Sequence, residues 1–169
     1  MKPPQKSNTM KLGKLSEVFE TMLRVFCLSI MILLSQSDVH ADAYVERAKA
    51  LFGEYAKSES AFDAAVADLY SDSAVIRNKR RYPNGSVRVM ALTGAQYKAL
   101  IRLSMPLAKA RNDKSNYSRV TYKRVGGKVK ISAQRYLLLK KYTSPLTLIV
   151  MPNSKKRWLI VEENSESRP

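Results

Sequence analysis

Apolar side chains recur at spacings of three and four residues just after residue 42. This spacing is typical of a helix with one apolar face and predicts a helix over residues 43–57 that buries Tyr44, Ala48, Leu51, Phe52 and Tyr55. The polar stretch 58–60 interrupts it, and Ser60 followed by Asp63 resembles a helix N-terminal cap. A second apolar stripe predicts a second short helix with Phe62, Val66, Leu69 and Tyr70 on its buried face.

The pattern changes to strands and turns after residue 72. Apolar segments at 74–76 and 87–91 flank the turn residues of the segment 82–85, so we expect a hairpin there. Thr93 and Gln96 form a capping box that predicts the start of a third helix. Proline lacks a backbone N–H, so we expect this helix to kink or end at Met105–Pro106. The basic, polar stretch 109–116 is predicted to be a surface connection.

From residue 117 onwards the chain alternates as an antiparallel sheet does. Val120 and Tyr122 alternate with polar residues, Gly126 and Gly127 predict a turn, and residues 128–133 alternate again. Segments 146–151 and 157–161 are predicted to supply two further strands. Residues 164–169 are polar, so we expect a loose C-terminal tail. There are no internal repeats, and we expect a single domain over residues 42–163.

The segment 1–41 has the pattern of a cleavable secretory leader. Five basic residues precede an uncharged run at 25–34, and Val39 and Ala41 place compact side chains where a signal peptidase requires them. We expect cleavage after Ala41 and export, to the periplasm if the source is a bacterium; a retained membrane anchor is the alternative, although such an anchor needs about 20 apolar residues. Cleavage would remove Cys27 and His40, which are the only cysteine and the only histidine. The mature domain could then form no disulfide, no Ser-His or Cys-His nucleophile and no Cys/His zinc site.

The charge is strongly positive and unevenly distributed. Residues 42–169 carry 25 Lys and Arg against 11 Asp and Glu, and residues 73–161 carry 21 basic residues against the single acid Asp113. A basic domain attracts acidic proteins, small anions or anionic membrane surfaces, whereas lone charges on strands commonly only keep an edge soluble. No nucleic-acid-binding motif accompanies the charge, and export would remove most nucleic acid from reach. The predicted anion-binding or partner-binding residues are Arg77, Lys79, Arg80, Arg81, Lys123, Arg124, Lys128 and Lys130.

The order of the predicted elements resembles the nuclear-transport-factor-two-like superfamily, also called the SnoaL-like or ketosteroid-isomerase-like cone fold. Residues 68–76 (DLYSDSAVI) look like its passage from the second helix to the first strand, and residues 92–97 (LTGAQY) look like its entry into the third helix. The resemblance covers residues 43–163. It implies an α+β domain of order ααββαββββ, in which three helices pack in a strongly curved, mixed or antiparallel sheet around a conical cavity.

The resemblance also implies where chemistry would lie. Isomerase-like members place a carboxylate base near the end of the first strand, but this chain has Arg77 and Asn78 at the matching positions. Asp63 and Asp68 are predicted to point in different directions from one helix, and Glu162 and Glu163 lie close to the chain end. We therefore predict no catalytic residues, no metal and no cofactor. The candidates for lining the cavity, which as aromatic residues could equally be core, are Tyr55, Phe62, Tyr97, Tyr122, Tyr136 and Trp158.

Three functions compete at this point. The favoured one is an exported, non-catalytic domain that binds an acidic ligand or protein through its basic sheet; an assembly factor like the periplasmic cone-fold domain of type IV secretion is a related form. The second is a SnoaL-like enzyme of small molecules, which requires a cavity lined by a buried carboxylate or paired tyrosines. The third is a homodimer formed through the open sheet. A core filled by side chains would exclude the second function.

Overall fold

The computed structural model describes residues 43–169, and the predicted leader, with Cys27 and His40, lies outside these residues. The described chain is helical from residue 43 to residue 60; this helix, α1, buries Ala48, Leu51, Phe52 and Tyr55. The apolar stripe predicted for this helix is therefore the face that packs on the core. No helix among residues 43–169 is both long enough and apolar enough to span a bilayer.

The predicted second helix is shorter than expected. Phe62 adopts a left-handed backbone conformation (φ 57°), which ends α1, and only a 3-10 helix, Ala64–Leu69, follows. Its N-cap is Asp63, whose carboxylate accepts a hydrogen bond from the Ala65 backbone N–H at 2.8 Å, so the prediction of Ser60 as the cap was wrong. Tyr70, predicted to be helical, begins the first strand.

The predicted hairpin is present and longer than its apolar segments. Strand β1 (Tyr70–Arg81) pairs antiparallel with β2 (Val87–Thr93). The turn is closed by a hydrogen bond from the Gly85 N–H to the Tyr82 carbonyl at 3.0 Å, and Gly85 has a positive φ of 82°. Glycine tolerates this conformation without strain, which explains why the turn forms here.

Helix α2 (Gly94–Arg111) begins at the predicted capping box and passes through Pro106. The Thr93 side chain accepts from the Gln96 N–H at 3.3 Å, and the Gln96 side chain accepts from the Thr93 N–H at 2.9 Å. The helix therefore does not end at Pro106, and residues 109–111 belong to it rather than to a surface connection. Met105 and Ala108, on either side of the proline, line one cavity with the sheet, so the helix continues there although the proline removes one backbone hydrogen bond.

The second half of the chain forms β3 (Ser115–Val125), β4 (Lys128–Leu137), β5 (Tyr142–Pro152) and β6 (Trp158–Ser167). The sheet order is β2-β1-β6-β5-β4-β3, with β1 and β6 parallel and the other neighbours antiparallel. The α+β class and the mixed sheet predicted from the sequence are confirmed. The core lies between the inner face of the sheet and the helices.

The expected loose tail is instead the end of β6. Residues 164–167 pair with β1, Ser165 is 7% exposed, and Arg81 holds Glu166 with two hydrogen bonds of 2.7 and 3.0 Å. The polar composition of this segment was misleading because a strand between two neighbours can satisfy polar side chains through cross-strand contacts.

Candidate functional site

A large cavity of about 320 Å³ opens between the helices and the inner face of β4. The end of α1 contributes Tyr55 and Glu59, α2 contributes Tyr97 and Ala108, and β4 contributes Arg135. The cone interior is thus open rather than filled by side chains. This observation satisfies the first requirement of the small-molecule hypothesis.

A small cavity of about 130 Å³ adjoins the large one. Its lining includes Met90 and Leu92 of β2 and Glu163 of β6, and it shares Tyr97, Leu100 and Arg135 with the large cavity. The shared residues form the wall between the two spaces.

Glu163 is a carboxylic acid inside the cone. It is 1% exposed, and its Oε2 accepts a hydrogen bond from the Tyr70 hydroxyl at 2.5 Å. The Tyr97 hydroxyl lies 3.5 Å from Oε1, and the Tyr70 and Tyr97 rings pack edge to face with centroids 5.2 Å apart. Between them, the two adjoining cavities are therefore lined by a buried carboxylate, Glu163 in the small one, and by paired tyrosines, Tyr70 in the large one and Tyr97 in both.

Burial changes the acidity of these groups. Burial raises the pKa of Glu163 above its ordinary value, although the hydrogen bond from Tyr70 and the charge of Arg135 act in the opposite direction. Burial, together with the charge of Glu163, raises the pKa of the Tyr70 and Tyr97 hydroxyls well above their ordinary value. At neutral pH the tyrosines are therefore hydrogen-bond donors, and Glu163 is a stronger base, when ionised, than a carboxylate in water.

A second carboxylate, Glu59, lies at the end of α1. It accepts hydrogen bonds from the hydroxyls of Tyr117 and, at 3.1 Å, Ser115, both on β3. Burial and the negative charge of Glu59 raise the pKa of the Tyr117 hydroxyl. Glu59 lines the large cavity, whereas Glu163 lines the small one, so the two acids lie in adjoining spaces.

Arg135 lies in the wall between these two acidic groups. Its guanidinium contacts the backbone oxygen of Glu166 at 3.4 Å, while its Nε atom is buried without a hydrogen-bond partner. Burial disfavours the charged form, but the surrounding tyrosine hydroxyls, those of Tyr55 and Tyr117 first, together with the charge of Glu163, outweigh burial and raise the pKa of Arg135. The side chain is therefore a fixed positive charge inside the cone.

The predicted cavity residues separate into two groups. Tyr55, Phe62 and Tyr97 line the large cavity. Tyr122 packs near Phe52, with ring centroids 6.4 Å apart, and Trp158 packs edge-on against Tyr44 at 5.3 Å. These two contacts are core packing at the other end of α1.

The expectation for Tyr136 has to be corrected. It is 38% exposed because its neighbours in β4, Arg135 and Leu137, both face the cavity. Successive residues of a strand point to opposite faces, so Tyr136 lies on the outer face of the sheet.

The predicted anion-binding residues form two separate clusters. Four lie on β1, four lie on β3 and β4, and β6 and β5 stand between the two groups. On β1, Arg77 pairs with Glu162 at 3.4 Å, Arg81 pairs with Glu166, and Arg80 lies 5.5 Å from the centre of the Tyr82 ring. Lys79 is exposed and lines a shallow outer depression.

In the second cluster, on β3 and β4, one of the four cations packs against a helix. Arg124 lies 4.2 Å from the centre of the Tyr44 ring. Lys123, Lys128 and Lys130 are exposed, and Lys123 stands directly opposite Lys130 across the β3–β4 ladder. The eight residues therefore do not make one continuous footprint.

The remaining polar candidates have structural roles. Asn78, at the position where isomerase-like proteins carry a base, donates to the Ser165 hydroxyl at 3.0 Å and accepts from the Ser167 hydroxyl at 2.6 Å. Asp68 pairs with Arg102 at 2.6 Å, and Asp63 caps the 3-10 helix. No group of three Asp, Glu, His or Cys side chains within residues 43–169 is arranged to hold a metal ion.

The sequence analysis missed Arg135 and Glu163, for different reasons. Val129, Ile131 and Ala133 are buried in alternation, so continuing the same count would have placed Arg135 inside. Glu163 could not have been predicted by counting the alternation of its strand, because β6 contains an irregularity. Ile149 pairs with Glu162 while Val150 pairs with Ile160, which leaves Val161 as an extra residue.

That β-bulge decides which glutamate enters the cavity. In a regular strand, burial of Ile160 would place Glu162 inside and Glu163 outside. The extra residue shifts the alternation, so Glu163 is buried and Glu162 pairs with Arg77 on the outer face.

No family model matches this sequence, and no curated protein matches it. Solved structures do match its fold. An NTF2-like protein of unknown function from Pseudomonas putida is 10% identical, with a TM-score of 0.60 over 75% of this chain and 87% of that one. A candidate dehydratase of the NTF2-like family from Streptomyces avermitilis is 11% identical, with a TM-score of 0.54 over 75% and 97% of the two chains.

A third match is a protein from Catenulispora acidiphila in complex with S-DNPA. It is 11% identical, with a TM-score of 0.50 over 74% of this chain and 93% of that one. At such low identities these similarities concern the fold alone. The cone-fold resemblance inferred from the sequence is confirmed at that level.

Proposed function

We propose, from the NTF2-like cone fold of this chain, that its inner cavities bind a small organic molecule and that Glu163 exchanges a proton with it. The observation that carries this proposal is the burial of Glu163, at 1% exposure, between two tyrosine hydroxyls and beside an open cavity. A buried carboxylate is costly to a fold, and its presence in a cleft with a raised pKa is typical of functional sites.

The proposed roles follow from the hydrogen bonds. Ionised Glu163 accepts a proton from the ligand, and the Tyr70 hydroxyl holds the carboxylate in place. Tyr97 lines both cavities and, as a neutral donor, can stabilise the negative charge that develops on a ligand oxygen. The names of several similarly folded proteins, such as the Streptomyces candidate dehydratase, agree with small-molecule chemistry in this fold.

This proposal replaces the non-catalytic binding domain favoured from the sequence. That hypothesis depended on the absence of a carboxylate base from β1, and Glu163 on the neighbouring strand supplies a carboxylate from a different position. The basic outer surface has two of its arginines engaged by glutamates, which weakens it as the main binding site.

Ligand binding can be tested by filling the large cavity. Ala108 lines the cavity, whereas Ala110, two residues further along α2, is exposed. We expect Ala108→Phe to abolish binding of the neutral fluorescent probe naphthol, followed by fluorescence titration, and Ala110→Phe to leave it unchanged. Equal binding by both variants would place the probe outside the cone.

Proton exchange can be tested with the ketone tetralone, whose α-protons are acidic. We expect the protein to accelerate deuterium incorporation at these positions, followed by NMR in heavy water, and Glu163→Gln to reduce this catalysis by about 100-fold or more. Glu162→Gln is the matched control because Glu162 lies on the outer face. Exchange that persists in Glu163→Gln would rule out Glu163 as the base.

Export remains a separate proposal. We propose that residues 1–41 are removed after Ala41, on the basic, apolar and compact-residue pattern of this segment. Mass spectrometry of the protein recovered from expressing cells would give a mature N-terminus at Asp42, and an intact N-terminus with membrane association would instead indicate a retained anchor.

A further inference from the structure

Arg135 is a part-buried cation that makes no ion pair with a carboxylate of the described residues. A guanidinium has five N–H donors, and here the Nε donor has no partner while one terminal nitrogen makes a single long contact of 3.4 Å. The ion pairs of residues 43–169 do not include Arg135, so no carboxylate oxygen of these residues lies within 4.0 Å of it. Buried polar groups in native proteins are normally satisfied, so this one requires an explanation.

A second unsatisfied group lies beside it. The Ser144 hydroxyl is buried without a partner, Ser144 is 3% exposed, and it stands directly opposite Arg135 in the β4–β5 ladder. Directly opposite residues of a sheet point to the same face with Cβ atoms about 5 Å apart. The only two side chains of the described residues with buried, unpaired polar atoms are therefore neighbours on the inner face.

Both groups can donate a hydrogen bond, and what they lack is an acceptor. Arg135 lines both cavities, so an acceptor that reaches it can belong to a molecule inside the cone. A planar guanidinium binds a carboxylate through two parallel hydrogen bonds, and a hydroxyl donor at its side complements that geometry.

The other charges of the cavities limit the anion to a single negative charge. Arg135 is the one basic residue among the lining residues of the two cavities, which also include the acids Glu59, Asp113 and Glu163. A phosphate dianion would face these carboxylates with only one cation to balance it. A monocarboxylate fits the single guanidinium better.

We propose that Arg135 and Ser144 form a subsite for a carboxylate, and that the ligand of this protein is a monocarboxylic acid with an apolar body. The apolar body occupies the space between α2 and the sheet, lined by Leu100, Ile101 and Met105. The inference rests on the part of the proposed function that places a small molecule inside the cone. It does not require proton transfer at Glu163.

The test compares two probes of equal shape, naphthoate, which carries a carboxylate, and naphthamide, which is neutral. We expect the full-length protein to bind naphthoate about tenfold or more tightly than naphthamide in fluorescence titrations at neutral pH. Arg135→Met should abolish this preference. Lys130→Met is the matched control because it removes a cation from the outer face of the same strand, and it should retain the preference.

Ser144→Ala provides a second variant that leaves the guanidinium in place. We expect it to weaken naphthoate binding several-fold while naphthamide binding is unchanged, so the subsite can be tested even if Arg135→Met does not fold. Equal affinity of the wild-type protein for both probes, or a preference that survives Arg135→Met, would overturn the inference and indicate that water satisfies the two groups.

The outcomes separate this inference from the proposed function. If naphthamide and naphthoate bind equally and Ala108→Phe blocks both, the cavity binds small molecules but the carboxylate subsite is wrong. If neither naphthalene binds, the subsite is also overturned, while the proton-exchange assay with tetralone still decides the proposed function.

Discussion

The carboxyl group of Glu163 is buried beside two tyrosine hydroxyls, so its ionisation affects the stability of the fold. Burial raises the pKa of Glu163 above its ordinary value of 4.5. The folded protein therefore holds this proton more tightly than the unfolded chain does. Stability contributed by the neutral acid is complete below about pH 4.5 and is lost as pH rises towards the raised pKa.

Glu163→Gln removes this titration. We expect the free energy of unfolding of the variant, relative to wild type, to increase by about 1.4 kcal/mol per pH unit between the two pKa values of Glu163 and then to level off. Urea denaturation at a series of pH values measures this difference, and Glu162→Gln serves as the control. A relative stability that is independent of pH, or that falls as pH rises, would contradict the raised pKa.

Gly94 is the first residue of α2 and has no room for a side chain. A Cβ atom there would lie 1.8 Å from the Ser71 carbonyl oxygen and 2.9 Å from the Ala74 Cβ, so the helix could not approach β1 as it does. We expect Gly94→Ala to reduce the free energy of unfolding by about 3 kcal/mol or more.

Gly53 is the matched control for this substitution. It is exposed in α1, and a Cβ atom there would meet nothing within 4 Å. Gly53→Ala should therefore stabilise the protein by about 0.5–1 kcal/mol through the better helix propensity of alanine. Thermal or urea unfolding of both variants checks the pair, and similar effects at the two sites would refute the close packing of α2 on β1.

At the scale of elements, helix α2 contains an internal proline whose cost can be measured. Pro106 cannot donate to the Arg102 carbonyl, and a proline in a helix interior costs about 3 kcal/mol relative to alanine. We expect Pro106→Ala to raise the free energy of unfolding by about 1–3 kcal/mol, since part of the gain is offset by the more flexible unfolded chain. A loss of stability in urea unfolding would indicate that the ring makes packing contacts that the helix requires.

Some of the helices, strands and turns could be predicted from the sequence, and others could not. Apolar spacing and caps are local signals, and they predicted α1, the start of α2 at Thr93 and the turn at Gly85 correctly. The local signal of Pro106 did not end α2, which continues to Arg111. The loose tail expected at residues 164–167 was also wrong, because their polar side chains are satisfied by strand neighbours that no local pattern reveals.

The candidate site was harder to predict than the fold. Three cavity aromatics followed from helical patterns, and Arg135 could have been found by continuing the alternation of β4. Glu163 could not, because a single extra residue at Val161 reverses which side chain points inward. A bulge depends on how neighbouring strands pair, and that information is not local in the chain.

At the scale of the whole molecule, the positive charge opposes folding. The chain has a net charge of +16, and the exposed Lys123 and Lys130 face each other directly across β3 and β4. Salt shortens the range of this repulsion, from about 14 Å at 0.05 M to about 4 Å at 0.5 M ionic strength. We expect the melting temperature to rise by roughly 2–5 °C over this range of sodium chloride.

The Lys130→Glu variant tests how much of this repulsion comes from the Lys123–Lys130 pair. It converts a like-charge pair into an opposite-charge pair, and we expect it to stabilise the protein by about 0.5–1 kcal/mol in 0.05 M salt and by less in 0.5 M salt. Exposed ion pairs such as Arg102–Asp68, at 2.6 Å, weaken with salt, but each contributes little. A melting temperature that falls with salt would mean that such pairs outweigh the repulsion. The positive charge would then be compensated within the fold, and the outer cations would be less available to an acidic partner.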